Sequence, residues 1–158
     1  MTPRSRLLSL PSPDTTARVA QAMAPALGRG DVLLLSGGIG AGKTHFARSL
    51  IQALLVVPED VPSPTFTLVQ EYDTTAGPLW HADLYRLSGP GEIEELGLLD
   101  AFDSAICLVE WPDRLGPLAP DGALRLTFTA QGCDEDTRRL SLDWDDPRWD
   151  ARVPPVAA

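Results

Sequence analysis

Apolar and polar positions alternate along this chain in segments short enough to assign one by one. Residues 6–10 are mainly apolar and stop at Pro11, which suits a short strand. Ser12-Pro13-Asp14 then supplies turn and N-cap chemistry. Ala17, Val19, Ala20, Met23 and Leu27 recur at near-helical spacing, so a helix is expected over 14–27, ending near Gly28 and Gly30. Val32 to Leu35 is a continuous apolar run of strand length, the pattern of a strand buried on both faces. A glycine cluster over 37–42 follows. A helix is expected next, over 43–55, with Phe46, Leu50, Ala53 and Leu54 turned inward.

Pro58, Pro62 and Pro64 constrain the next stretch, and strands over 66–72 and 79–87 form a hairpin joined across 74–78. Residues 92–99 have a helical pattern with an acidic first turn. Ile106 to Val109 is a second wholly apolar strand and runs into Glu110. Two more strands, 123–129 and 138–144, close the sheet. The organisation expected is one domain over 1–145 and a flexible tail over 146–158.

Composition narrows the function classes. The chain has 158 residues, 44% of them hydrophobic, and this is enough for one core without disulfides or structural metals. Its net charge of -9 repels phosphate backbones, so direct nucleic-acid binding is not expected. Cys107 and Cys133 are too few and too far apart for a disulfide framework or a zinc site; Cys107 reads as a small apolar side chain. No signal-peptide core and no run of roughly 18 apolar residues is present, so a soluble cytoplasmic protein without membrane attachment is expected.

The thirteen basic residues include a single lysine, Lys43, and it falls inside a motif. Gly37 to Thr44 satisfies G-x-x-x-x-G-K-[ST] between a buried strand and a helix, the setting a phosphate loop requires. Glycines let backbone N–H groups converge on phosphate oxygens, and the helix N-terminus adds a favourable dipole. Gly38, Gly40, Ala41, Gly42, Lys43, Thr44 and the backbone of His45 are therefore the expected phosphate cradle. Lys43 would bridge the outer phosphates, and the Thr44 hydroxyl would face Mg²⁺. A dinucleotide G-x-G-x-x-G fails, because Lys43 and His45 stand where its last glycine would be. The chain has no asparagine, which removes the usual guanine-reading motif.

A phosphate loop needs an acid beside it, and Glu110 at the end of the second apolar strand fits; the bland reading is an acid marking a strand end. Asp83, within an apolar run, needs a partner, either metal-bound water or Arg86. His81 alone reads as a structural histidine. Trp111 either covers the nucleotide, faces a partner or packs, and Ser63-Pro64-Thr65 is either a nucleotide-sensing loop or a rigid turn.

Together these residues resemble the TsaE (YjeE) family of bacterial ATPases needed for threonylcarbamoyladenosine modification of tRNA. The resemblance rests on Gly40 to Thr44, Ser63-Pro64-Thr65-Phe66-Thr67-Leu68-Val69, His81 with Asp83-Leu84-Tyr85-Arg86-Leu87, Glu95-Leu96-Gly97, and Cys107 to Pro112. It implies a three-layer α/β, P-loop NTPase-like fold with a mixed sheet, ATP hydrolysis with Mg²⁺, and action with TsaD and TsaB, reaching tRNA only through that complex. It further implies that Lys43 binds phosphates, that Thr44 and Glu110 hold Mg²⁺, and that Asp83 is an acid needed for activity. Thr65 and Trp111 fall near the nucleotide and the partner face, and Gln131 and Gly132 on a loop approaching the adenine. The chain departs from the family pattern at Gly38-Ile39, where Asp-Leu is usual, at His45, where a second threonine is usual, and at Ala82, where phenylalanine is usual. Two competing readings are a small-molecule kinase and a non-catalytic nucleotide-dependent binding module. Against the kinase, residues 112–120 carry Arg114 and three prolines rather than an arginine-bearing lid.

Overall fold

The computed structural model describes residues 4–38, 42–57, 59–61, 69–87, 90–130 and 137–153. Its elements are β1 (Arg4–Leu10), α1 (Pro13–Met23), β2 (Val32–Gly37), α2 (Lys43–Leu54), β3 (Val69–Thr74), β4 (Gly77–Asp83), α3 (Pro90–Glu95), α4 (Leu98–Ser104), β5 (Ile106–Glu110), β6 (Leu124–Ala130) and β7 (Arg138–Trp144). The strands form one mixed sheet in the order β1-β7-β6-β2-β5-β4-β3. β6, β2, β5 and β4 are mutually parallel, whereas β7, β1 and β3 pair antiparallel at the flanks.

The apolar runs explain the three layers. Successive strand residues point to opposite faces, so an uninterrupted apolar strand needs cover on both. Leu33 and Leu35 of β2, with Ile106 and Leu108 of β5, pack among Val19, Met23, Phe46 and Leu50 of α1 and α2. Val32 and Leu34, with Cys107 and Val109, pack on the other face among Ile93, Leu98 and Phe102 of α3 and α4. Cys107 is fully buried, and desolvation pushes its thiol up to about 12. Among the described residues no helix is long and apolar enough to cross a membrane.

Several boundaries differ from the sequence expectation for local reasons. The first helix stops at Met23 and tightens into a 3₁₀ turn over Ala24–Ala26, where Pro25 interrupts the α pattern. In α2 the inward set contains Ile51, and Ala53 is exposed. Strand β4 ends at Asp83 rather than Leu87, because the Asp83 carboxylate accepts the Tyr85 N–H at 3.0 Å and turns the chain. The helix expected over 92–99 is two short helices divided at Gly97, whose φ of 76° suits glycine.

Of the tail expected over 146–158, residues 146–153 are anchored by the buried Trp149 and Val153, and 154–158 lie outside the described residues. Trp149 is fully buried in the core on the α1/α2 side, and its indole N–H donates to the Gly122 carbonyl at 2.9 Å. Asp150 accepts from the Trp144 indole at 2.8 Å, and Arg152 pairs with the buried Asp31 at 2.9 Å. The aromatic residue in a proline-bounded segment supplies an anchor that composition alone conceals.

Candidate functional site

Parallel pairing brings the C-terminal ends of β2, β5 and β4 side by side. Leu35 stands opposite Glu110, and Glu110 opposite Asp83. The Trp111 N–H donates to the Leu35 carbonyl and the Leu84 N–H to the Glu110 carbonyl, which extends this alignment past the strand ends. Helix α2 begins at the same edge. Its cap, Gly42, has a φ of 110°, a conformation that a side chain would strain. The Phe46 N–H is donated to the Gly42 carbonyl, so by helix geometry the amides of Lys43, Thr44 and His45 precede the first intrahelical bond. A depression of about 230 Å³ lies there, lined by Gly42, Lys43, Thr44 and His45.

Lys43 is 5% exposed. Its ammonium donates to the Gly37 carbonyl at 2.6 Å and stands 3.5 Å from the centre of the Trp111 ring. Desolvation holds its pKa below the ordinary lysine value of 10.5, while the carboxylates of Glu110, Asp83 and Asp113 pull it the other way. A buried ammonium whose direct contacts are one carbonyl and one ring face keeps donor capacity for an anion at the helix N-terminus.

Glu110 is 1% exposed, and both its oxygens are engaged. Oε1 accepts the Thr44 hydroxyl at 2.8 Å, and Oε2 accepts His81 Nε2 at 2.7 Å. Asp83 is buried beside it on the next strand. Trp111 has a φ of 59°, and its ring packs at 4.8 Å, tilted, on Tyr85. Arg114 donates to the Tyr85 carbonyl at 3.3 Å.

The expected residues Lys43, Thr44, Asp83, Glu110 and Trp111 thus meet at one sheet edge. Gly42 and His45 join them through the backbone of α2; the His45 ring is exposed and donates from Nε2 to the Pro13 carbonyl at 2.9 Å. Gly38 is exposed, and a Cβ there would meet nothing within 4 Å, so packing does not demand a glycine. Gly40, Ala41, Thr65, Gln131 and Gly132 lie outside the described residues. From sequence alone His81 reads as structural, yet its ring bonds the Glu110 carboxylate. Two residues before Asp83 on β4, its side chain falls on the same face as that acid, but its reach to Glu110 depends on the parallel pairing of β4 with β5.

Among the described residues no group of three or more His, Cys, Asp or Glu side chains is placed to hold a metal. What stands here is one hydroxyl and one carboxylate, hard oxygen donors 2.8 Å apart. Such a pair suits Mg²⁺, which binds through one or two protein ligands and completes its shell with phosphates and water.

The family model described as "Threonylcarbamoyl adenosine biosynthesis protein TsaE" matches residues 10–140. Curated relatives named tRNA threonylcarbamoyladenosine biosynthesis protein TsaE include one from Rickettsia felis, 39% identical over 86% of this chain and 78% of its own length. Another, from Bacillus subtilis, is 38% identical over 78% of this chain and 77% of the relative. The crystal structure of Bacillus subtilis YdiB superposes with a TM-score of 0.74 at 27% identity, covering 96% of this chain and 93% of that one.

Proposed function

The chain belongs to the TsaE family, and from that premise we propose that it is a magnesium-dependent ATP hydrolase supporting TsaD and TsaB in forming threonylcarbamoyladenosine on tRNA. The observation that carries this reading is the junction of a buried Lys43 ammonium at the N-terminus of α2 with the Thr44 hydroxyl bonded to Glu110.

Lys43 receives the outer phosphates, exchanging the Gly37 carbonyl and the Trp111 face for oxyanions in a site already desolvated. The amides at the start of α2 orient the same phosphates. Thr44 and Glu110 are the residues that would hold Mg²⁺, which would supply neutralisation of the charge developing on phosphoryl oxygens. Asp83 sits on the next strand end with its Oδ1 fixed by the Tyr85 N–H, and acts on the water side of the site.

The isolated chain is expected to turn over slowly. Arg86 is the one arginine in the motif segments from 61 to 112, and a partner completing the site is a common solution for such ATPases. A net charge of -9 keeps tRNA contact with the partners. The segment Pro112–Leu118 is two 3₁₀ turns kinked at Gly116 and pinned by the fully buried Leu115, which supports hydrolysis over a kinase lid.

The test is release of inorganic phosphate from ATP, with and without Mg²⁺, by the wild-type chain and by Lys43→Ala. Metal-dependent release with water as sole acceptor, lost in the variant, is expected. Nucleotide binding with no release even when partners are present would replace hydrolysis by a binding-module role.

A further inference from the structure

We infer that His81 is a positioning residue that holds the Glu110 carboxylate in its metal-binding orientation by donating from Nε2. The inference deepens the proposed reading and rests on it.

As the ionised carboxylate a metal ligand must be, Glu110 only accepts, so the 2.7 Å bond between its Oε2 and His81 Nε2 places a proton on Nε2. The His81 ring is completely buried, and its Nδ1 has no hydrogen-bond partner among the described residues. A bare lone pair at Nδ1 is the cheaper orphan; an N–H there would be a buried donor with nothing to receive it. The surroundings therefore select the Nε2–H tautomer, and that tautomer has one available acceptor, Glu110.

This matters for the opposite oxygen. Glu110 Oε1 is bonded to the Thr44 hydroxyl at 2.8 Å, and that hydroxyl must turn away when its oxygen faces a cation. Glu110 then loses one of its two anchors. The His81 bond survives the exchange, because it lies on the far oxygen within the sheet, with His81 opposite Leu108 and two residues before the Asp83 that faces Glu110. A carboxylate left on one flexible side chain would otherwise be free to swing. Partners that orient a metal ligand in this way typically affect metal affinity by about 10–100-fold.

Calorimetry with a non-hydrolysable ATP analogue, in saturating Mg²⁺ and separately in EDTA, isolates the metal-dependent part of affinity for wild type, His81→Phe and His81→Gln. Glutamine places an N–H near the position of Nε2; phenylalanine keeps the ring shape without a donor. The Mg²⁺/EDTA affinity ratio should fall by at least about tenfold in His81→Phe and be largely restored in His81→Gln, with metal-free affinity nearly unchanged. A wild-type ratio in folded His81→Phe, or no rescue by glutamine, overturns the positioning role and leaves the site reading standing. A wild type whose affinity is the same in Mg²⁺ and EDTA overturns the metal-site reading and this role with it. If His81→Phe does not fold, long-range ¹H–¹⁵N spectra of the wild-type chain decide. It has two histidines, His45 and His81, so His45→Gln assigns the signals. A protonated Nε2 and bare Nδ1 on His81 are expected, and the opposite tautomer overturns the inference.

Discussion

The Lys43 ammonium stands 3.5 Å from the centre of the Trp111 ring, and the same nitrogen donates to the Gly37 carbonyl at 2.6 Å. The chain's single lysine is thus buried against a quadrupole and a dipole, without a direct ion pair among the described contacts. That is a costly arrangement for folding and a useful one for capturing an anion.

Lys43→Met should therefore raise stability while removing nucleotide binding. Burial lowers the folded-state pKa of Lys43 below 10.5, so the unfolded chain binds its proton more readily. The resulting penalty is fully present below the folded value and disappears as pH climbs from that value toward 10.5. Thermal unfolding should show a higher Tm for Lys43→Met at neutral pH and a smaller rise in stability on the alkaline side than wild type. ATP affinity or turnover should fall by at least about tenfold, the scale of a lost charge-assisted contact of about 1.5–3 kcal/mol. A less stable variant with intact ATP binding would contradict both halves.

Trp111 should report the exchange of partners at Lys43. Of the four tryptophans, Trp144 and Trp149 are buried in the other core layer. Addition of MgATP should change intrinsic fluorescence in wild type and in Trp144→Phe, but not in Trp111→Phe. A response that persists without Trp111 would place the signal at another tryptophan, such as Trp80 on β4, and contradict the assignment of Trp111 as the reporter.

Glu110 and Asp83 are adjacent in register but should separate in kinetics. Glu110→Gln should raise the Mg²⁺ concentration needed for half-maximal hydrolysis, whereas Asp83→Asn should lower turnover with a smaller metal effect. The opposite pattern would reverse their roles, and unchanged turnover in both would make them structural.

Trp149 tests the C-terminal segment. Trp149→Ala removes a fully buried indole and its bond to the Gly122 carbonyl, at an expected cost of about 3–5 kcal/mol in urea unfolding. A change within about 0.5 kcal/mol, typical of surface sites, would mean that the segment frays after all.

What the sequence discloses follows from how local its signals are. The apolar runs Val32 to Leu35 and Ile106 to Val109 had to lie between two layers, and Gly42 before Lys43 opens a helix, so the layers and the start of α2 were legible. Glu110 was legible because it terminates one of those runs. Strand order is not local: that Asp83 and Glu110 end side by side, and that His81 reaches Glu110, depends on β4 pairing parallel to β5. The end of β4 at Asp83 was hidden for a similar reason. An aspartate in an apolar run reads as a strand interruption or a buried charge, and only its bond to the Tyr85 N–H shows a turn. Gly38 stands where the resemblance implies an aspartate, and packing does not explain the glycine, since the position is open.

Completion of an ATPase site within the tRNA-modifying complex is decided by phosphate release from MgATP by the full chain alone, with TsaD and TsaB from the same organism, and with tRNA alone. Slow release by the chain, at least about tenfold stimulation by the two proteins, the scale of one modest transition-state contact, and no change with tRNA alone are expected. No response to TsaD and TsaB, or tight tRNA binding by the isolated chain at physiological salt, would contradict it.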